Sequence, residues 1–292
     1  MEKILFDTDI GSDIDDAVCL AYLLSQPECR LLGITTVSGE PRKRAMLADA
    51  LCEVAGKAIP IVPGAESPLL IEQKQKIATQ AEALRRWPHR TEFSQQPAAE
   101  FLRDVIRKCP GEITLLATGP MTNVAALFAL DPQIPALLKG LVLMCGRFFA
   151  GEPKEPIAEW NAACDPHAAA MVYHAAVKTH RSVGLDVTAQ VRMDRQDAVR
   201  LFTADILEPV LDFAGIWFRK AEQIVFHDPL AAAVLFNDGI CTFQRGTVHV
   251  ELAVGERLGE TRWEPDGIHG KHEIAAQVQV DEFFRHYFSV VK

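Results

Sequence analysis

The sequence predicts an α/β fold: an open, mainly parallel β-sheet flanked by helices, with a Rossmann-like core and an active site at the carboxyl ends of the strands. Three observations predict it. Short apolar runs with almost no internal polar residue recur along the chain, as expected of strands covered on both faces. Longer amphipathic stretches separate them in the strand–helix–strand order of βαβ units. Unusual polar residues gather just after the apolar runs, where open parallel sheets bind ligands.

The runs come in order as "KILFD" ending at Asp7, "LLGITTV" ending at Val37, "IPIV" at Val62, "EITLLAT" at Thr118, "GLVLMCG" at Gly146 and "RSVGLDV" at Val187. Between them, "KRAMLADALCEVAG", "AAEFLRDVIRKC" and "PHAAAMVYHAAV" carry helical periodicity. Later, "VHVELAV" and "IAAQVQV" alternate more strictly and read as edge strands or an antiparallel pair. "DEFFRHYFSVV" reads as a closing helix. Glu66 to Pro97 is polar and weakly patterned, and reads as a surface element over the sheet edge. No internal repeat divides the chain, so residues 1–292 are expected to form one domain.

A net charge of −9 speaks against nucleic acid as a partner. The seven cysteines form no CxxC pair and suit a reducing compartment. The first apolar run is too short for a signal peptide and no later one is long enough to cross a membrane, so a cytoplasmic protein with no membrane partner is expected.

Five of the ten residues from Asp7 to Asp16 are aspartates: Asp7, Asp9, Asp13, Asp15 and Asp16. Such crowding is unfavourable unless a cation is bound, and an all-oxygen donor set suits Ca²⁺ or Mg²⁺ rather than zinc. It is no EF-hand, because Ser12 and Val18 stand where that loop needs its glycine and its final glutamate. One or two of the aspartates are expected to cap the following helix, which leaves the others for function. Further along, "FHDPLAAAVL" sets His227 and Asp228 before Pro229 at a helix start. In "AEWNAACDP", Asp165 reads as a cap before Pro166, whereas Glu159 and Asn161 are not needed for one. Trp160, Trp217 and Phe218 are possible stacking residues for a ligand ring, the last two expected on one helix with His227, although core packing is the commoner role of such aromatics.

Taken together, "DTDIGSDIDD", "GITTVSGE", "LLATGPMTNVA", "LVLMCGR", "AEWNAACDPHAA", "VGLDVTAQ" and "VFHDPLAAAV" resemble, in order over residues 3 to 236, the motifs of the nucleoside hydrolase family. The resemblance implies a nucleoside hydrolase-like fold and a homodimer or homotetramer that cleaves the N-glycosidic bond of ribonucleosides with water. It implies one Ca²⁺ held by Asp9, Asp16, the Thr118 backbone carbonyl and Asp228. Asp9 would also be the general base for a water held at the metal, and His227 would sit at the leaving base. Asp15, Glu159, Asn161 and Met144 would bind the substrate. Glu40 stands where the family has a small polar residue that contacts the substrate, so it too is expected there.

The chain departs from the family in its longer aspartate motif, where Asp13 is added, and in lacking an HGxxG-like flap between Glu66 and Pro97. Two other readings stay open from the sequence. "ILFDTD" resembles the motif of haloacid-dehalogenase-type phosphatases, with Asp7 as nucleophile and Asp9 as acid. A relative that binds a nucleoside or sugar without turning it over is the other.

Overall fold

The computed structural model describes residues 1–149, 158–267 and 269–292. The strands are β1 Glu2–Thr8, β2 Cys29–Thr36, β3 Ile61–Pro63, β4 Ile113–Ala117, β5 Gly140–Leu143, β6 His180–Ser182, β7 Arg192–Asp194, β8 Gln223–Val225, β9 Cys241–Val250, β10 Thr261–Pro265 and β11 His272–Val278. Among the described residues, nine of them form one sheet in the order β10-β9-β11-β6-β5-β4-β1-β2-β3. From β3 to β11 every neighbouring pair is parallel, and β9 pairs antiparallel with both β11 and β10. The two alternating segments near the C-terminus are thus an antiparallel pair, with β10 at the edge.

The alternation within each buried strand feeds two cores. Ile4 and Phe6 of β1, Leu116 of β4 and Val142 of β5 pack on one face. Leu5, Leu115, Leu141 and Leu143 pack on the other. Both faces are apolar because helices cover both, so these strands read as continuous apolar runs.

Two segments fold differently from what their sequence suggests. The run "RSVGLDV" is strand only through Ser182, and Leu185–Thr188 is a helical turn. The chain must turn at Gly184, where a Cβ would lie 2.5 Å from the Gly146 carbonyl oxygen and meet Phe148. Trp217 and His227 do not share a helix: Glu208–Trp217 ends, β8 intervenes, and His227–Ala233 begins afresh. β8 pairs with β7 in a separate two-stranded sheet.

Strand order fixes where a ligand can bind. The chain runs from β1 outward through β2 and β3, then crosses back to place β4 on the other side of β1. The connections after β1 and β4 therefore leave in opposite directions and open a crevice at their carboxyl ends. Asp9 follows β1 and Thr118 follows β4 at that point.

Candidate active site

The crevice is a cavity of about 560 Å³, a size that suits a nucleoside-sized ligand. Asp9, Asp13, Asp15, Asp16, Thr118, Met144, Glu159, Asn161, His227 and Asp228 all line it. Residues far apart in sequence are thus brought together, including every residue expected at the metal, at the leaving base or at the substrate except Glu40. Glu40 lies at the start of the helix Pro41–Val54 in a left-handed conformation (φ 59°). Its carboxylate accepts from Lys43 Nζ at 2.5 Å and from the Ala78 amide at 3.0 Å. It is engaged with the segment that covers the site and does not face the cavity.

The acidic floor is built from two helix starts. Asp15 and Asp16 open the helix Asp15–Ser25, and Asp228 lies in the first turn of His227–Ala233. Helix N-termini favour negative charge, which partly offsets the crowding. No side chain caps the helix Asp15–Ser25, contrary to expectation. Asp15 Oδ2 instead accepts the Asp228 amide at 3.1 Å, and Asp13 accepts the Ile14 amide at 2.6 Å. Asp16 accepts the Thr8 hydroxyl.

Carboxylate oxygens of Asp15, Asp16 and Asp228 all lie within 4.8 Å of one another. The resemblance gave Asp9 to the metal and Asp15 to the sugar, whereas this compact trio includes Asp15 and leaves Asp9 beside it. All four are buried. Burial pushes each carboxyl above its ordinary range; repulsion from neighbouring aspartates adds to this for Asp15, Asp16 and Asp228. Among the described residues, no lysine or arginine forms an ion pair with any of the four. An all-oxygen, buried donor set with no direct ion pair is chemically suited to a hard divalent cation.

Asp7 is different. It is fully buried, held by the Thr35 hydroxyl and by Asn123 Nδ2 at 2.7 Å, and does not line the cavity. Burial raises its carboxyl to about 7. A phosphatase nucleophile must reach its substrate, so this placement counts against the phosphatase reading.

Glu159 is the N-cap of the helix Trp160–Cys164, a role the sequence reading denied it. Its carboxylate accepts from the amides of Asn161 at 2.7 Å, Ala162 at 3.1 Å and Gly146 at 3.1 Å. Asn161 Nδ2 donates to the carbonyls of Thr118 at 2.6 Å and Met144 at 3.0 Å, tying together the ends of β4 and β5. Asp165 caps the next helix as expected, accepting from the Ala168 amide at 3.0 Å. His227 Nδ1 lies 2.7 Å from the Thr188 hydroxyl. Burial first, then the nearby Arg192 charge, lowers its pKa to about 4, so the ring is neutral at physiological pH. Trp160 and Trp217 line the cavity, whereas Phe218 packs in the core.

Two residues escaped sequence reading. Arg44, from the helix Pro41–Val54, is fully buried and donates to the carbonyls of Gly39 at 2.8 Å, Ile10 at 3.1 Å and Asp9. It holds the aspartate loop by its backbone, and its charge favours ionised Asp9. Gln75 comes from the weakly patterned segment, which folds over the cavity and contributes Lys74, Lys76, Ile77 and Thr79 to its wall. Gln75 Nε2 donates to Asp9 Oδ2 at 2.5 Å. Nothing in "EQKQK" marks that residue.

The chain is similar to known proteins over most of its length. A family model described as inosine-uridine preferring nucleoside hydrolase matches residues 4–285. Uridine nucleosidase 1 of Arabidopsis thaliana is 30% identical over 288 residues, covering 90% of this chain and 84% of its own. The inosine-uridine preferring nucleoside hydrolase of Leishmania major is 30% identical over 302 residues, covering 97% and 95%. The solved structure of a plant nucleoside hydrolase superposes with a TM-score of 0.86 at 24% identity, covering 99% of this chain and 98% of that one.

Proposed function

From the premise that the chain belongs to the inosine-uridine preferring nucleoside hydrolase family, we propose that it hydrolyses the N-glycosidic bond of ribonucleosides in a Ca²⁺-dependent reaction, with Asp9 activating the water. The observation that carries this reading is the set of four buried carboxylates, none of them in a direct ion pair among the described residues, at the floor of a nucleoside-sized cavity.

Asp9, Asp16, Asp228 and the Thr118 carbonyl would hold the Ca²⁺, with Asp15 close enough to join them. Bound there, calcium supplies the charge that relieves the carboxylates' repulsion, gathers the ribose hydroxyls and makes water easier to deprotonate.

The chain's own residues account for the rest. Asp9 takes a proton from the attacking water as its oxygen bonds to the anomeric carbon. The bond from that carbon to the base nitrogen breaks, and its electron pair leaves with the base. As it breaks, the ribose acquires oxocarbenium-like positive charge, which surrounding carboxylates favour. Asp15, Glu159 and Asn161 orient the sugar, with Glu159 and Asn161 held rigid by their own backbone hydrogen bonds. Met144 closes the apolar side. His227 is neutral; with Nδ1 accepting from Thr188, it would present its Nε2–H as a hydrogen-bond donor to the departing base, which takes up its proton from solvent. Trp160 and Trp217 offer faces against which a base can stack.

We infer a homodimer or homotetramer in the cytoplasm, in keeping with the family resemblance and with seven free cysteines. Among the described residues, no helix is long and apolar enough to cross a membrane.

The test is sugar release from a panel of purine and pyrimidine ribonucleosides, with Ca²⁺ and after chelation, beside Asp9→Asn. Calcium-dependent release lost in the variant is expected. No release from any nucleoside by calcium-loaded protein would sink the proposal.

A further inference from the structure

Gln75 lies between two groups that leave its amide only one orientation. Its Nε2 is 2.5 Å from Asp9 Oδ2, and its Oε1 is 2.6 Å from the indole Nε1 of Trp160. An ionised carboxylate only accepts and an indole N–H only donates. The amide must therefore turn its nitrogen to Asp9 and its oxygen to Trp160. A glutamine held at one end alone could flip; this one cannot without losing both bonds.

The backbone around Gln75 is seated closely. Its carbonyl accepts the Gly39 amide at 3.1 Å, and its own amide donates to Gln73 Oε1 at 2.8 Å. A Cβ on Gly39 would lie 2.4 Å from the Lys76 carbonyl oxygen and 2.6 Å from that of Gln75. The residues on either side of Gly39, Ser38 and Glu40, both adopt positive φ (75° and 59°). Positive φ at these two non-glycine residues costs on the order of 1 kcal/mol each and persists only where the surroundings enforce it. The turn after β2 is bent so that the covering segment can approach, and Glu40 holds that segment through the Ala78 amide.

We propose that Gln75 is a positioning residue for Asp9, locked by the Trp160 indole N–H, so that the cover of the cavity sets the orientation of the carboxylate beneath it. Gln75 engages Oδ2 of Asp9 and leaves Oδ1 for the chemistry. Trp160 is about half exposed (53%), yet its N–H points inward to the buried Gln75 (7% exposed). The ring therefore presents a face to the cavity mouth while its nitrogen serves the lock. Phenylalanine there would keep the face and lose the lock.

This inference rests on Asp9 being the base that activates water, and the experiment separates the two. Steady-state kinetics with inosine and uridine would compare wild type, Gln75→Leu, Trp160→Phe, the double variant and Asp9→Asn. The expected result is a fall in kcat of about 10- to 100-fold for Gln75→Leu with KM within about threefold, because the loss lies in the orientation of a reacting group. Trp160→Phe should lower kcat less, and the double variant should be no worse than Gln75→Leu alone. An unchanged kcat in Gln75→Leu, or a loss confined to KM, would overturn the proposal. Additive losses in the double variant would do the same for the lock. Full activity of Asp9→Asn would instead remove the reading of Asp9 beneath it.

A second readout needs no turnover. In calcium-free wild type the Trp160 indole N–H should exchange slowly by NMR despite the exposed ring. It should shift and exchange faster in Gln75→Leu; the same rapid exchange in wild type would overturn the lock even if Gln75→Leu proved too unstable for kinetics.

Discussion

The backbone N–H of Asp228 donates to Oδ2 of Asp15 at 3.1 Å, across a sequence separation of 213 residues. Two helices meet at their first turns, each bringing carboxylates to the junction. One carboxylate takes the other helix's amide as its partner, which fixes the pair at a distance where both cannot comfortably be ionised. Among the described residues no ammonium or guanidinium forms an ion pair with Asp15 or Asp228, so a bound cation would stabilise the junction.

Calcium should accordingly stabilise the protein. A ligand at about a hundredfold its dissociation constant adds about 2.7 kcal/mol, which for a chain of this size raises Tm by about 4–5 °C. Thermal unfolding in EGTA and in excess Ca²⁺ measures it. Asp16→Asn should lose most of the response, and its calcium-free form should melt higher than calcium-free wild type because one buried charge is gone. Equal melting of the wild type in both buffers would show that the cluster does not bind calcium.

Arg44 should matter for stability more than a surface arginine would. Arg44→Met leaves the carbonyls of Gly39, Asp9 and Ile10 without their donor. Each buried carbonyl left unsatisfied costs about 1–3 kcal/mol, so a loss of several kcal/mol is expected. Urea denaturation should show that loss, with Arg44→Lys recovering part of it. A midpoint unchanged in Arg44→Met would mean that the loop holds itself.

These two cases show what a sequence can and cannot disclose. The aspartate motif and His227–Asp228 stood out because crowded charge after an apolar run has few structural uses. The sheet was legible because strands covered on both faces leave an uninterrupted apolar record, as in "KILFD" and "EITLLAT". Arg44 was hidden among the three basic residues of an amphipathic helix, where burial of one cannot be told from exposure of all. Gln75 was hidden because its partners, Asp9 and Trp160, are 66 and 85 residues away. Glu159 was misjudged because Asp is the commoner cap and Asp165 already supplied one. Glu40 was placed at the substrate by likeness of position, but its left-handed backbone turns it toward Lys43 and Ala78.

That last correction is testable in its own right. Glu40→Gln keeps the shape and removes the charge that binds Lys43 and the Ala78 amide. Since Glu40 lies outside the cavity, KM for any nucleoside that is hydrolysed should stay within about twofold, and stability should fall by about 0.5–1.5 kcal/mol. A large rise in KM alone would return Glu40 to the substrate.

Far from the cavity, His180 and His272 give the fold a dependence on pH. His180 is buried with neither ring nitrogen partnered, stacked on Tyr173 at 5.3 Å and 4.7 Å from the His272 ring. His272 is satisfied as a neutral ring, its Nδ1 accepting from the Val248 amide and its Nε2 donating to the Tyr173 carbonyl. Burial lowers both pKa values, that of His180 far below the ordinary 6.5. Below about pH 6.5 the unfolded chain therefore takes up protons that the folded one refuses. Stability falls with pH by up to about 1.4 kcal/mol per unit for one such group. Histidine 180 replaced by phenylalanine (H180F) should lose less Tm than wild type between pH 7 and 5. Parallel curves would show that His180 accepts its proton in the fold.

Gly119 offers the most local probe of Asp9. A Cβ there would lie 2.9 Å from both the amide nitrogen and Oδ1 of Asp9, and 2.7 Å from Val37 Cγ1. All three are closer than real Cβ contacts allow, and Asp9 and Val37 are both buried, so Gly119→Ala must displace one of them. Val37 can yield by a rotamer change, but the Asp9 amide is backbone and its carboxylate is held by Gln75. The shift therefore falls on the end of β1. A displacement of about 1 Å in a reacting group costs on the order of a hundredfold in rate, whereas overpacking of one methyl costs about 1–3 kcal/mol of stability. Gly119→Ala should thus remain folded at 25 °C and lose kcat by about two orders of magnitude. Kinetics and thermal unfolding on the same preparation decide it: wild-type kcat would mean that the loop relaxes around the methyl and that Asp9 does not need this placement.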